Sequence, residues 1–141
     1  MTTIFQCQSE AELKRAFPVL KELRTHLSEE DFFSLYGEME KQGFQLYALE
    51  DEGEIKAVTG VQISTNFYNL RNMYVHDLVT KSTERSKGYG ETLLRFIHDL
   101  ARENDCSSVY LSSGLQRVDA HRFYTDKMGY EKKSYTFLYK L

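Results

Sequence analysis

The sequence predicts an α/β (α+β) domain built on a mixed central β-sheet with helices on both faces. Three observations carry that prediction. Two capped amphipathic segments open the chain, a run of hairpin-linked strand patterns fills its middle, and strand and helix alternate through its last third. Hairpins pair antiparallel, whereas a strand–helix–strand stretch implies parallel pairing, so the sheet must be mixed.

Thr3 to Cys7 is a short strand candidate. Ser9-Glu10-Ala11-Glu12 has the capping-box form, a hydroxyl at the helix start and a carboxylate three residues on. Leu13, Phe17, Leu20, Leu23 and Leu27 follow at helical spacing, with Pro18 as a point where that helix could kink or split. Ser28-Glu29-Glu30-Asp31 repeats the cap before Phe32, Leu35, Tyr36 and Met39, and Gly43 is a natural stop. Phe44 to Leu49 and Ile55 to Ile63 read as strands joined by the turn Asp51-Glu52-Gly53-Glu54, and Leu70 to Thr80 as a third long strand. From Gly88 to about Asn104 the period is helical, with Leu93, Leu94, Ile97, Leu100 and Ala101 on one face. Val109 to Leu111 is a short buried strand, Val118 to Lys127 a short helix, Gly129 a break and Tyr135 to Leu141 a closing strand.

With 141 residues and no repeat or linker-like tract, the chain is expected to form one domain, 1–141. Nineteen aromatic residues (10 Tyr and 9 Phe) argue against disorder. The net charge, 18 − 21 = −3, gives no footprint for nucleic acid or an anionic membrane surface. No apolar run approaches the roughly 20 residues of a membrane span. Met1-Thr2-Thr3-Ile4-Phe5 lacks the basic and apolar stretches of a secretory signal, and Cys7 and Cys106 match no metal or redox spacing. A cytoplasmic domain with two buried thiols and no metal is the expectation.

Chemistry enters at Arg85-Ser86-Lys87-Gly88-Tyr89-Gly90, between the third long strand and the helix. Glycines there let the backbone approach a ligand, and the first helical N–H groups carry the positive end of the helix dipole. Such a turn suits phosphate, with Arg85 and Lys87 adding charge. A dinucleotide fingerprint needs a glycine where Leu93 stands, and a P-loop needs a longer spacing before Gly-Lys-Ser/Thr. A tight turn without a ligand would use the same residues, so the segment alone leaves both readings open.

The chain resembles the GNAT (GCN5-related N-acetyltransferase) superfamily at two places. Arg85-x-x-Gly88-x-Gly90 fits that family's Arg/Gln-x-x-Gly-x-Gly/Ala signature, and Ala120-x-x-Phe123-Tyr124 leading to Gly129-Tyr130 fits its downstream element with one extra spacer residue. The order of elements agrees along nearly all of the chain. Two departures stand out. Arg117 replaces a common asparagine, and Lys81-Ser82-Thr83-Glu84 lacks a common proline.

The resemblance implies an N-acetyltransferase that takes acetyl-CoA as co-substrate and acts on a primary amine by direct transfer. Arg85, Ser86, Lys87, Gly88, Tyr89 and Gly90 would wrap the pyrophosphate, and Leu78, Val79 and Thr80 would pair with the pantetheine arm as an added strand. Tyr124 would protonate the departing thiolate, Asp77 would take the amine's proton, and the Val79 N–H would face the developing oxyanion. The stretch from Arg117 to Glu131 resembles a subgroup acting on small amines, and the family also makes a homodimer plausible.

Other readings use the same residues. Tyr124 could be a packed aromatic, Asp77 a turn-binding acid, and Glu29, Glu30 and Asp31 dipole compensation. His76 and Asp77, adjacent in a strand, are expected on opposite faces, which argues against a shared metal. A non-catalytic acyl-CoA-binding module, or an enzyme acetylating a protein N-terminus or lysine, remain the alternatives.

Overall fold

In the computed structural model, which describes residues 1–141, two serines set where the first helices begin. Ser9 Oγ accepts from the Glu12 N–H at 3.1 Å while the Glu12 carboxylate accepts from the Ser9 N–H at 3.0 Å, opening α1 (Glu10–Leu23). Ser28 and Asp31 make the same reciprocal pair ahead of α2 (Glu29–Lys41). Each box satisfies donors that a helix start otherwise leaves bare. Pro18 lies inside α1 without ending it. It forfeits its own N–H bond, but the flanking turns pack on the sheet, and packing decides.

The chain divides into two compact units, 1–110 and 111–141. The first holds β1 (Thr3–Gln6), β2 (Phe44–Asp51), β3 (Glu54–Asn66), β4 (Leu70–Thr80) and α3 (Tyr89–Glu103), with β5 (Ser108–Leu111) at its end. The strands lie in the order β1-β2-β3-β4-β5, and the first four pair antiparallel. Glu52 and Gly53 take φ of 54° and 76° between β2 and β3. Two successive left-handed residues are what a two-residue hairpin turn demands.

Alternate residues of β2 serve two cores. Leu46 and Ala48 belong to the cluster with Leu13, Phe17, Leu20, Phe32 and Tyr36 beneath α1 and α2, where the Phe17 and Phe32 rings are 5.0 Å apart. Tyr47 turns the other way and meets Phe96 of α3 at 5.4 Å. The two-residue repeat therefore puts helices on both faces. Leu93, Leu94 and Ile97 of α3 are fully buried; each such side chain contributes about 1.5–3 kcal/mol.

Two strands carry one residue more than their partners. Leu49 pairs with Ala57 and Glu50 with Ile55, so Lys56 is extra in β3. Gly60 pairs with Asp77 and Val61 with Val75, so His76 is extra in β4. Such bulges re-aim side chains.

The second unit contains α4 (Val118–Arg122), a π-helical turn over Phe123–Lys127, and an irregular remainder. The expected helix over 118–127 thus changes hydrogen-bond pattern halfway, because Met128 N bonds Phe123 O five residues back. The expected strand from Tyr135 to Leu141 does not form; those residues join no sheet and Phe137 is 92% exposed. Strand patterning supplies a face but not a hydrogen-bonding partner. Of the two cysteines, Cys7 is buried, its thiol pushed up to about 12 chiefly by burial, whereas Cys106 is only half-buried. No helix is long and apolar enough to cross a membrane.

Candidate functional site

The turn between β4 and α3 is built on a buried lysine. The bulge in β3 sends Lys56, 4% exposed, to the carboxylates of Glu84 at 2.9 Å and Glu54 at 3.3 Å. The hydrogen bond to Glu84 raises the Lys56 ammonium above its ordinary range. Glu84 ends a 3-10 turn (Ser82–Glu84) and also binds the Lys87 ammonium. Its carboxyl is held below the usual range by hydrogen bonds from Lys87 first and Lys56 second. The turn's other end is fixed where Ser82 N donates to Glu22 of α1 at 2.8 Å.

From this base the chain takes a left-handed step at Ser86 (φ 68°) and another at Gly88 (φ 85°), the cap of α3. The α3 ladder starts with Thr92 N on Gly88 O at 3.0 Å. The N–H groups of Tyr89, Gly90 and Glu91 therefore have no helical acceptor. Arg85, Ser86, Lys87 and Gly88 are exposed. Gly90 abuts the end of β4: a Cβ there would stand 3.2 Å from Thr80 Oγ1. The Tyr89 side chain anchors the turn from the other side: its hydroxyl donates to Asp51 at 2.8 Å and holds that carboxyl below the usual range, which leaves the expected backbone role of Tyr89 untouched.

Leu78, Val79 and Thr80 pair with Thr59, Val58 and Ala57 along one edge. On the other edge β5 starts beside Arg71, where Ser107 N donates to Arg71 O at 2.8 Å, and runs for only 4 residues. At about 3.3 Å per residue β5 ends short of Leu78. That length of β4 keeps an open edge, adjacent to the exposed turn, that an extended ligand can pair with. Exposed N–H groups, two cationic side chains and an open strand edge in succession are a donor set that fits a pyrophosphate followed by a pantetheine amide chain.

The bulge in β4 overturns the expectation for His76 and Asp77. Both side chains gather at the ring of Phe44 instead of parting to opposite faces. His76 lies 5.9 Å from that ring, and Asp77 Oδ2 and Phe44 Cζ would stand 2.8 Å and 2.4 Å from a Cβ on Gly60. Only glycine at position 60 leaves room for them. Arg24, which caps the C-terminal end of α1, donates through Nε to Asp77 Oδ1 at 2.7 Å and through a terminal nitrogen to His76 O at 2.8 Å. No cluster of three His, Cys, Asp or Glu side chains gathers around a metal-sized space. Sequence reasoning missed Arg24, Lys56 and the bulge at His76. Gly60, a glycine inside a strand pattern, was the one signal of a bulge.

Within the second unit Tyr124 is the one buried residue, packed against the rings of Phe123 at 5.4 Å and Tyr130 at 5.7 Å. Burial raises its phenol above the ordinary range, so it is protonated at neutral pH. The αL residue Gly129 (φ 76°) lets Tyr130 N return to Tyr124 O at 2.8 Å. His121 is spent on structure, bonded to the Gly114 carbonyl at 2.8 Å.

Comparison with known proteins places this geometry among relatives. The family model described as the acetyltransferase (GNAT) family matches residues 9–130. A Bacillus subtilis (strain 168) protein named uncharacterized N-acetyltransferase YhdJ is 41% identical over 133 residues, covering 94% of each chain. Among solved structures, the aminoglycoside N-acetyltransferase AAC(6')-Iy in complex with CoA superposes with a TM-score of 0.88 at 11% identity, over 100% of this chain and 95% of that one. Glucosamine-6-phosphate N-acetyltransferase from Arabidopsis thaliana gives 0.76 at 20% identity, over 99% and 98%. A transcriptional regulator from Bacillus halodurans C-125 gives 0.85 at 20% identity over the whole of both chains. At such identities these three likenesses establish the shared fold.

Proposed function

Because the chain belongs to the acetyltransferase (GNAT) family and is an acyl-CoA-dependent N-acyltransferase, we propose that it moves the acetyl group of acetyl-CoA to a primary amine of a small molecule, directly and within one ternary complex. The observation that carries this reading is the open edge of β4 at Leu78–Thr80 running into the exposed turn Arg85–Gly90. In it, the N–H groups of the turn bind the pyrophosphate, with Arg85, Ser86, Lys87, Gly88, Tyr89 and Gly90 supplying backbone and charge. Leu78, Val79 and Thr80 take the pantetheine arm as an added strand, which aims the thioester at the bulge. Val79 N–H serves the carbonyl oxygen as charge builds on it.

Two proton transfers remain. The amine arrives as an ammonium and gains a nucleophilic lone pair only by losing a proton, at the bulge where Asp77 and His76 lie. The departing sulfur leaves more readily if a phenol protonates it, the role of Tyr124, whose burial keeps that proton in place at neutral pH. Acceptors such as aminoglycosides and glucosamine-6-phosphate, named for proteins of the same fold, support a small-molecule amine. A cytoplasmic setting is consistent with the two free thiols.

Screening amines with acetyl-CoA and following thiol release tests the reading. Amine-dependent CoA release is expected. CoA binding without turnover across a broad panel would instead make the protein a binding module. With an acceptor in hand, Tyr124→Phe should lower kcat by about ten- to a thousandfold and leave acetyl-CoA affinity nearly intact. An unchanged rate removes the general-acid role.

A further inference from the structure

Building on the acyl-transfer reading, we propose that His76 takes the proton from the acceptor ammonium through Nδ1, and that Gln62 holds the imidazole in the tautomer this requires.

The chain of hydrogen bonds behind His76 fixes that tautomer. Gln62 Nε2 donates to the Gln42 carbonyl at 2.8 Å. A carbonyl can only accept, so the amide NH2 must face Gln42 and the amide oxygen must face the other way. That oxygen lies 3.1 Å from His76 Nε2. It too can only accept, so Nε2 carries the hydrogen. A neutral imidazole has one N–H, which leaves the lone pair on Nδ1.

The surroundings keep the ring neutral. It stacks edgewise on Tyr74 at 4.7 Å and on Phe44 at 5.9 Å. This partial burial lowers the pKa of the ring below the ordinary histidine value, the Asp77 carboxylate opposes that shift, and the Arg24 guanidinium adds to it. Arg24 from α1 and Asp77 from β4 are the charged groups facing the ring; Gln62 of β3, Phe44 of β2 and Tyr74 are uncharged. Asp77 is turned inward, its side chain 11% exposed, with Oδ1 on Arg24 and Oδ2 over Gly60. His76, by contrast, is exposed. Of two neighbours on one bulge, the imidazole is the one an incoming ammonium can reach. Asp77 then acts as a positioning residue, anchoring Arg24 and stabilising the imidazolium across a short distance.

The proton balance closes. One N–H bond of the ammonium breaks, an Nδ1–H bond forms on His76, and the freed nitrogen pair attacks the acetyl carbon. The C–S bond breaks and the sulfur leaves as the thiol; the nitrogen's second proton makes up the one the sulfur takes. The third proton stays on the amide nitrogen, and the imidazolium gives its proton to solvent.

The full chain serves for the test. His76→Ala should lower kcat about a hundredfold with an unchanged KM for acetyl-CoA, and added imidazole should restore part of the rate. The acid limb of wild-type kcat/KM should fall below the ordinary histidine value and vanish in the variant. Correlation spectra of the 15N-labelled ring, which need no substrate, should read Nε2–H in the wild type and a mixture of tautomers in Gln62→Leu. A wild-type rate in His76→Ala, or an Nδ1–H tautomer, overturns the inference. Absence of amine-dependent CoA release by the wild type would sink the acyl-transfer premise instead, whatever the tautomer.

Discussion

The two stretches that flank Leu78–Thr80 are made in opposite ways. The turn before α3 is a matter of residue type: two left-handed steps, one at Gly88, expose a run of N–H groups. The bulge at His76 is a matter of counting, one residue more in β4 than in β3. A glycine turn can be specified by its own few residues. A bulge exists only relative to the strand beside it, so nothing within Tyr74-Val75-His76-Asp77 marks it. In the proposed reaction the turn binds the cofactor's phosphates, and the bulge takes the acceptor's proton.

The sharpest way to break this contrast is at the turn. Gly88→Val should weaken acetyl-CoA binding by at least about a hundredfold in calorimetry, because a β-branched residue at φ 85° is strained and must rearrange the backbone that faces the phosphates. Normal affinity in a folded variant would detach the turn from the cofactor. At the bulge the matching change is Gly60→Ala. Its Cβ would stand 2.4 Å from the Phe44 ring and 2.8 Å from Asp77, so stability should drop by about 1–3 kcal/mol in denaturant unfolding. Turnover should suffer more than cofactor affinity. Equal losses of both would mean that turn and bulge are one mechanical unit.

The smallest expected effect is electrostatic and belongs to the bulge alone. The folded chain holds His76 with a lowered pKa, so in acid the unfolded chain binds a proton that the folded chain resists. Stability therefore holds above the ordinary histidine range and declines as pH falls through it. His98, lowered mainly by burial, contributes in the same direction. In urea titrations across this range His76→Gln should flatten the decline, and an unchanged slope would assign it to His98.

Legibility in the sequence followed the same division. Both capping boxes, the Glu52-Gly53 turn and the glycine signature were readable because each is a local code of three to six residues. β2 was readable as a short apolar run bounded by a turn because both of its faces are buried. Residues 135–141 are also rich in strand-forming types, yet they form no strand, since such patterning describes a face and not a partner. Arg24 and Asp77 are 53 positions apart and Lys56 and Glu84 28 apart. Pairs that meet only after the sheet folds leave no trace in spacing.

Lys56 has one more consequence, in ionic strength. Its ion pair with Glu84 lies inside the protein, 4% and 13% exposed, where dissolved salt screens poorly, whereas Lys87 is 56% exposed and open to screening. Under the cofactor-binding role proposed for the turn, rising salt strips attraction for phosphates from the surface cations while leaving the turn in shape. The binding geometry and the long-range pull toward it reside in different charges, so affinity and fit can be varied independently.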